Sequence, residues 1–181
     1  METKPWIRNG IDCPGVTACF YCHDGKGNFI LSYRGADCRD EQGTWDFGGG
    51  GLKLHQSVEE TLRGEIMQEY CTEVLASEFL GYRELHREID GIKTHWIALD
   101  FLVLIDPALV RNGEPHKFDE VRMFRLDALP KPLHSQSQYY LPKYLKRFFL
   151  AEKQEEGVML LDVAPDTSGW NRAALDLSKS L

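Results

Sequence analysis

The chain has 181 residues, 43% of them hydrophobic and 27% charged, which allows one sizeable core with a tail and excludes collagen, coiled-coil and disordered classes. A formal net charge of −7 opposes non-specific attraction to nucleic acid or an anionic membrane, since both require a positive field. The longest apolar stretch, Trp96 to Leu99 and Phe101 to Ile105 broken by Asp100, is too short to cross a bilayer, and Met1 to Gly10 carries Glu2, Lys4 and Arg8 without an apolar run. A cytoplasmic protein is expected, and the odd set Cys13, Cys19, Cys22, Cys38 and Cys71 fits reduced thiols there.

Val16 to Cys22 and Phe29 to Tyr33 are rich in β-branched and aromatic residues, and Asp24 to Asn28 between them has turn chemistry, which predicts a β-hairpin. Cys19 and Cys22, followed by His23, have the C-x-x-C spacing of zinc and redox sites. No second such pair completes a zinc site, and a strand sends alternate side chains to opposite faces, so a structural role is favoured. Trp45 to Phe47 reads as a strand that ends in a loop at Gly48 to Gly51, where backbone can approach a ligand.

A helix is predicted over Ser57 to Tyr70, with Ser57 as N-cap and Glu60 completing a capping box. At 100° per residue Val58, Leu62, Ile66 and Tyr70 form its buried arc, and Glu65 and Glu69 fall inside that arc. Two like charges one turn apart repel unless a positive group intervenes, either a divalent cation bound by hard oxygens or an Arg or Lys from elsewhere in the fold. Helical geometry alone leaves both open.

Further along, Phe79 to Leu85 and Thr94 to Ile105 form a second predicted hairpin through Ile89-Asp90-Gly91. Glu120 to Leu126 reads as a strand, and a helix is predicted from about Gln136 to Leu150, where Pro142 would sit awkwardly inside it. A polar connector after Ala151 leads to an expected strand at Val158 to Val163 and a short helix ending by Leu177. His95 and His116 have no partner at helical or zinc-type spacing and are read as structural.

The segment from Gly50 to Thr72 resembles the Nudix box, G-x5-E-x7-R-E-U-x-E-E-x-G-U, aligned without a gap. Gly50, Glu65, Ile66 and Glu69 match. Gln56, Gly64, Gln68 and Cys71 stand where that family has Glu, Arg, a metal-binding Glu and Gly. The resemblance implies an α/β (α+β) Nudix fold, a mixed sheet sandwiched between helices, over residues 1–151, with residues 152–181 as a C-terminal extension. It also implies Mg2+ or Mn2+ held by Glu65, Gln68, Glu69 and Glu120, with Glu65, Glu69 and Glu120 as the catalytic carboxylates. Arg34, Arg39, Gly49 and Gly50 would face the substrate, for Arg34 and Arg39 with a solvated surface role as the alternative; Asp119 competes with Glu120.

The activity implied is hydrolysis of the pyrophosphate bond in a nucleoside diphosphate linked to a further group, X. Gln68 offers a carbonyl oxygen without charge, Gly64 removes a bracing guanidinium, and a glycine inside a helix costs roughly 1 kcal/mol against alanine. A weakened or inactive nucleotide-binding module is therefore the alternative. The partners expected are a small nucleotide-type substrate and a second copy of the chain, with no nucleic acid and no membrane.

Overall fold

The computed structural model of the protein describes residues 7–89 and 91–153. The strand and helix expected between 158 and 177 lie outside that range. Among the described residues seven strands form one mixed sheet: β1 (Gly15–His23), β2 (Asn28–Arg34), β3 (Trp45–Asp46), β4 (Gly48–Gly51), β5 (Val74–Ile89), β6 (Ile92–Ile105) and β7 (Phe118–Arg125). Two helices, α1 (Val58–Tyr70) and α2 (Ser135–Lys153), cover its faces. The main order is β3-β2-β1-β6-β5, with β4 paired to β1 and β7 to β2.

β1 is the axis of the sheet. It runs parallel to β6 from Gly15↔Trp96 to His23↔Leu104, and its other edge takes β4 from Thr17↔Gly51 to Phe20↔Gly48. The first hairpin closes through Asp24, whose carboxylate accepts from the backbone N–H of Lys26 and Asn28. The second is longer than its sequence pattern suggests, 16 and 14 residues rather than the cores at Phe79 and Thr94. The consecutive polar residues His86-Arg87-Glu88 lack the alternation that marks a strand and hid the turn end of β5.

Strand alternation divides the core between the two helices. Phe20, Cys22 and Ile30 pack with Leu62, Ile66 and Tyr70 of α1, while Tyr21, Phe29 and Leu31 pack with Leu141, Tyr144 and Phe148 of α2. Full burial of each such side chain contributes about 1.5–3 kcal/mol. Pro142 lies inside α2, as its eighth residue, and the helix continues past it.

The glycine run corrects one expectation. Gly48 to Gly51 is itself strand β4, not a loop. Its backbone is held by β1, and the absence of side chains serves the close approach of α1.

Candidate functional site

α1 sits directly over β4. Its start is fixed by the expected capping box: the Glu60 backbone N–H donates to Ser57 Oγ at 3.1 Å, and the Ser57 N–H donates to the Glu60 carboxylate at 2.8 Å. Its end is fixed by Cys71 in the left-handed region, φ 56°. Between these caps, a β-carbon on Gly50 would lie 2.0 Å from Glu65 Cδ, and one on Gly48 would lie 2.6 Å from Glu69 Oε2 and 1.9 Å from the Phe20 ring. The two carboxylates reach the sheet only because these positions are bare.

Glu69 is buried, 1% exposed. Lys117 Nζ donates to its Oε1 at 3.1 Å and to Glu114 Oε2 at 3.0 Å, whereas Glu69 Oε2 has no hydrogen-bond partner among the described residues. Burial pushes the Glu69 carboxyl up to about 8, against the opposing pull of Lys117. Gln68 turns outward and donates from Nε2 to Glu114 Oε1 at 2.7 Å. Burial would raise Glu114, but the hydrogen bonds from Gln68 and Lys117 outweigh it and hold that carboxyl below its usual value.

A cavity of about 620 Å³ opens beside Glu69 and runs along β4. That volume suits a small-molecule ligand. Its far wall is an ionic network. Arg34 donates to the Asp40 carboxylate at 2.5 Å and to the Asp40 carbonyl at 2.8 and 3.0 Å, and stands 3.5 Å from Asp46. Arg87 pairs with Asp40 at 2.8 Å and Glu41 at 2.7 Å. His134, then Arg39, Arg34 and Arg87, hold the Asp40 carboxyl far below the usual carboxylate range despite burial. Nearby, Arg83 Nε donates to both oxygens of the fully buried Asp100, at 2.8 and 3.0 Å, and the Tyr144 hydroxyl donates to the same carboxylate at 2.8 Å.

Trp96 provides the cavity's broad apolar surface. Gly10 and Gly15 make its slot, since a β-carbon on either would lie 2.2 or 2.5 Å from the indole. The Arg39 guanidinium, 70% exposed, stands 6.0 Å from the ring centre.

Arg34, Arg39, Gly49, Gly50 and Glu69 thus line one cavity, and Glu65 packs against Gly50 at its edge. Glu120 is placed elsewhere. On β7 it pairs in register with Tyr33 of β2, alternates with Val121 and Met123 that pack on the α1 side, and forms an exposed ion pair with Arg122 at 3.2 Å. Lys117, three residues earlier, is the β7-side group that meets Glu69. Cys19 lies on the cavity wall and Cys22 in the α1-side core, so the C-x-x-C pair is split between faces, and burial raises both thiols, Cys19 to about 12.

Lys117, Glu114, Asp40, Arg87, Trp96 and His134 carried no local motif and were missed. Only the pairing requirement of an inward-facing acid pair signalled that a cation such as Lys117 should exist.

The fold and site define a class: a two-helix sandwich in which an acidic, capped helix overlies a bare glycine strand at the mouth of a cavity. The sequence model of the NUDIX domain matches residues 14–144, more than half of the chain, and the protein belongs to that family. Among solved structures, a MutT NUDIX hydrolase from Burkholderia pseudomallei is similar at 25% identity, with a TM-score of 0.63 and coverage of 71% of this chain and 96% of that one. The NUDIX domain of Shewanella oneidensis NrtR, complexed with ADP ribose, shares the fold at 16% identity and TM-score 0.61, covering 75% and 88%. A MutT/nudix family protein from Enterococcus faecalis does so at 14% and 0.64, covering 87% and 71%. No curated protein sequence matches the chain. Nudix hydrolases generally use divalent metal ions, and no helix among the described residues is long and apolar enough to cross a membrane.

Proposed function

We propose that the protein is a cytoplasmic, metal-dependent hydrolase of the pyrophosphate bond in a nucleoside diphosphate linked to another moiety. One observation carries this reading: Glu69 Oε2 is a buried carboxylate oxygen without a hydrogen-bond partner among the described residues, at a cavity wall, one helical turn from the half-buried Glu65. An acid in that state fits a hard divalent cation, Mg2+ or Mn2+, whose charge would stabilise its ionised form. Glu65 and Glu69 would hold the ion. Gln68, its amide nitrogen committed to Glu114, would offer only its carbonyl oxygen, and Glu114 is better placed than Glu120 to be the further carboxylate.

A bound ion would supply neutralisation of the diphosphate and acidification of the attacking water. The chain's own groups do the rest. Glu65 accepts the water proton, Lys117 and Arg39 meet phosphate oxygens, and the bare backbone at Gly49 and Gly50 admits the diphosphate. Trp96 offers a face for the base, as aromatic platforms do for nucleobases. Nucleoside monophosphate and phosphorylated X leave. For assembly the reading keeps a homodimer, favoured by exposed Leu75, Phe79 and Tyr82 on the edge strand β5; it keeps neither nucleic acid nor membrane as partner.

The second reading is a nucleotide-binding module without turnover, and it too has an observation behind it. Lys117 already supplies a positive charge to Glu69, and Gln68 is engaged by Glu114. A panel of nucleotides with magnesium or manganese separates the two. The hydrolase should release nucleoside monophosphate from at least one of them, and Glu69→Gln should lose at least about 100-fold in rate. A nucleotide that raises the melting temperature while none turns over would replace the first reading with the second.

A further inference from the structure

The long β5–β6 ribbon has two faces with different chemistry. Arg83, Leu85, Arg87, Thr94 and Trp96 line the nucleotide-sized cavity, so strand alternation puts Glu84, His86 and His95 on the reverse. His86 and His95 are direct cross-strand partners with ring centres 4.2 Å apart. Glu84 lies two residues before His86 on the same face, its Oε2 3.7 Å from His86 Nε2. One donor atom from each of the three lies within 4.8 Å of the other two. His95 Nε2 is removed from water and has no hydrogen-bond partner among the described residues.

We propose that Glu84, His86 and His95 form a second metal site, separate from the glutamates of α1 and built for a borderline transition ion such as zinc. Two neutral imidazoles and one carboxylate are a zinc, nickel or copper donor set, whereas magnesium takes oxygen ligands. Tetrahedral ligands at zinc stand about 3.4 Å from one another, so closing the site takes side-chain rotation of the exposed Glu84 and His86 on a fixed backbone. Water completes the coordination. The strand pairing explains why spacing along the chain does not reveal the site: the two histidines are nine positions apart, and only the hairpin register places them opposite each other.

The test is zinc titration of the full-length protein against a chromogenic chelator, with excess magnesium present. One zinc per chain is expected, with affinity reduced at least about 10-fold in His86→Ala and in His95→Ala and reduced measurably in Glu84→Gln. Cobalt(II) in place of zinc should show visible bands without the intense near-ultraviolet thiolate absorption that any of the five cysteines would give. Thermal unfolding in a chelator, equal to that of the unsubstituted protein, confirms that the variants are folded. No zinc binding, binding that survives unchanged in His86→Ala combined with His95→Ala, or a thiolate band would each overturn the proposal.

Discussion

Asp40 and Glu69 are buried carboxylates on the wall of the same cavity, and they are held in opposite states. Burial disfavours ionisation of both. Asp40 is surrounded by Arg34, Arg39, Arg87 and His134 and stays strongly acidic, whereas among the described residues Glu69 receives Lys117 alone, on one oxygen, and is pushed up to about 8. The difference lies in the number of cations supplied by the fold. The Asp40 end completes its own electrostatics and builds wall; the Glu69 end leaves charge to be answered by something from outside.

Breaking the completed end should have the largest effect on stability. Asp40→Ala takes the shared carboxylate from Arg34 and Arg87, 13% and 20% exposed, leaving them Asp46 and Glu41 as partners, and is expected to cost about 3 kcal/mol in chemical denaturation. A loss under 1 kcal/mol would show that the network is decorative.

The two ends should also titrate in opposite senses. Asp40, with its folded value lowered, contributes stability that is present above its usual 3.8 and is lost as pH falls through the folded value. Glu69, with its folded value raised, contributes stability that is present below 4.5 and is lost as pH climbs through about 8. Without divalent ions, denaturant midpoints should therefore decline across that upper window, and Glu69→Gln should flatten the decline. Magnesium should raise the melting temperature more at pH 8 than at pH 6, because it favours the ionised carboxylate; an equal rise would count against ion binding at Glu69.

The smallest change sharpens the contrast without touching either end. A β-carbon at Gly64 meets nothing within 4 Å, so Gly64→Ala should stabilise α1 by roughly 1 kcal/mol and leave the magnesium-induced shift unchanged.

What the sequence revealed was local. Ser57 with Glu60, Asp24 with Asn28, and the Glu65–Glu69 pair all interact over distances of a few residues, so their spacing encodes their geometry. The two alternatives left open for the acid pair, an external cation or a basic side chain, both bear on Glu69, since Lys117 occupies one oxygen and not the other. Lys117 lies 48 residues from Glu69 and Arg87 lies 47 from Asp40, and no local pattern records such pairings. Four consecutive glycines suggest a loop by propensity, and only the pairing with β1 makes them a strand.

That strand also gives substitution in this region a direction. Gly48 and Gly50 have no space for even a single extra carbon, because helix and strand meet there at van der Waals distance. Of the positions that differ from the Nudix box, Gln56, Gly64 and Gln68 are exposed and Cys71 closes the helix end, whereas Thr72, where the box has an aliphatic residue, is fully buried and donates its hydroxyl to the Asp106 carbonyl at 3.0 Å. None of these residues fills the space that Gly48 and Gly50 leave open, so the close contact of α1 with β4 sets a steric limit that is independent of which side chains α1 turns to solvent.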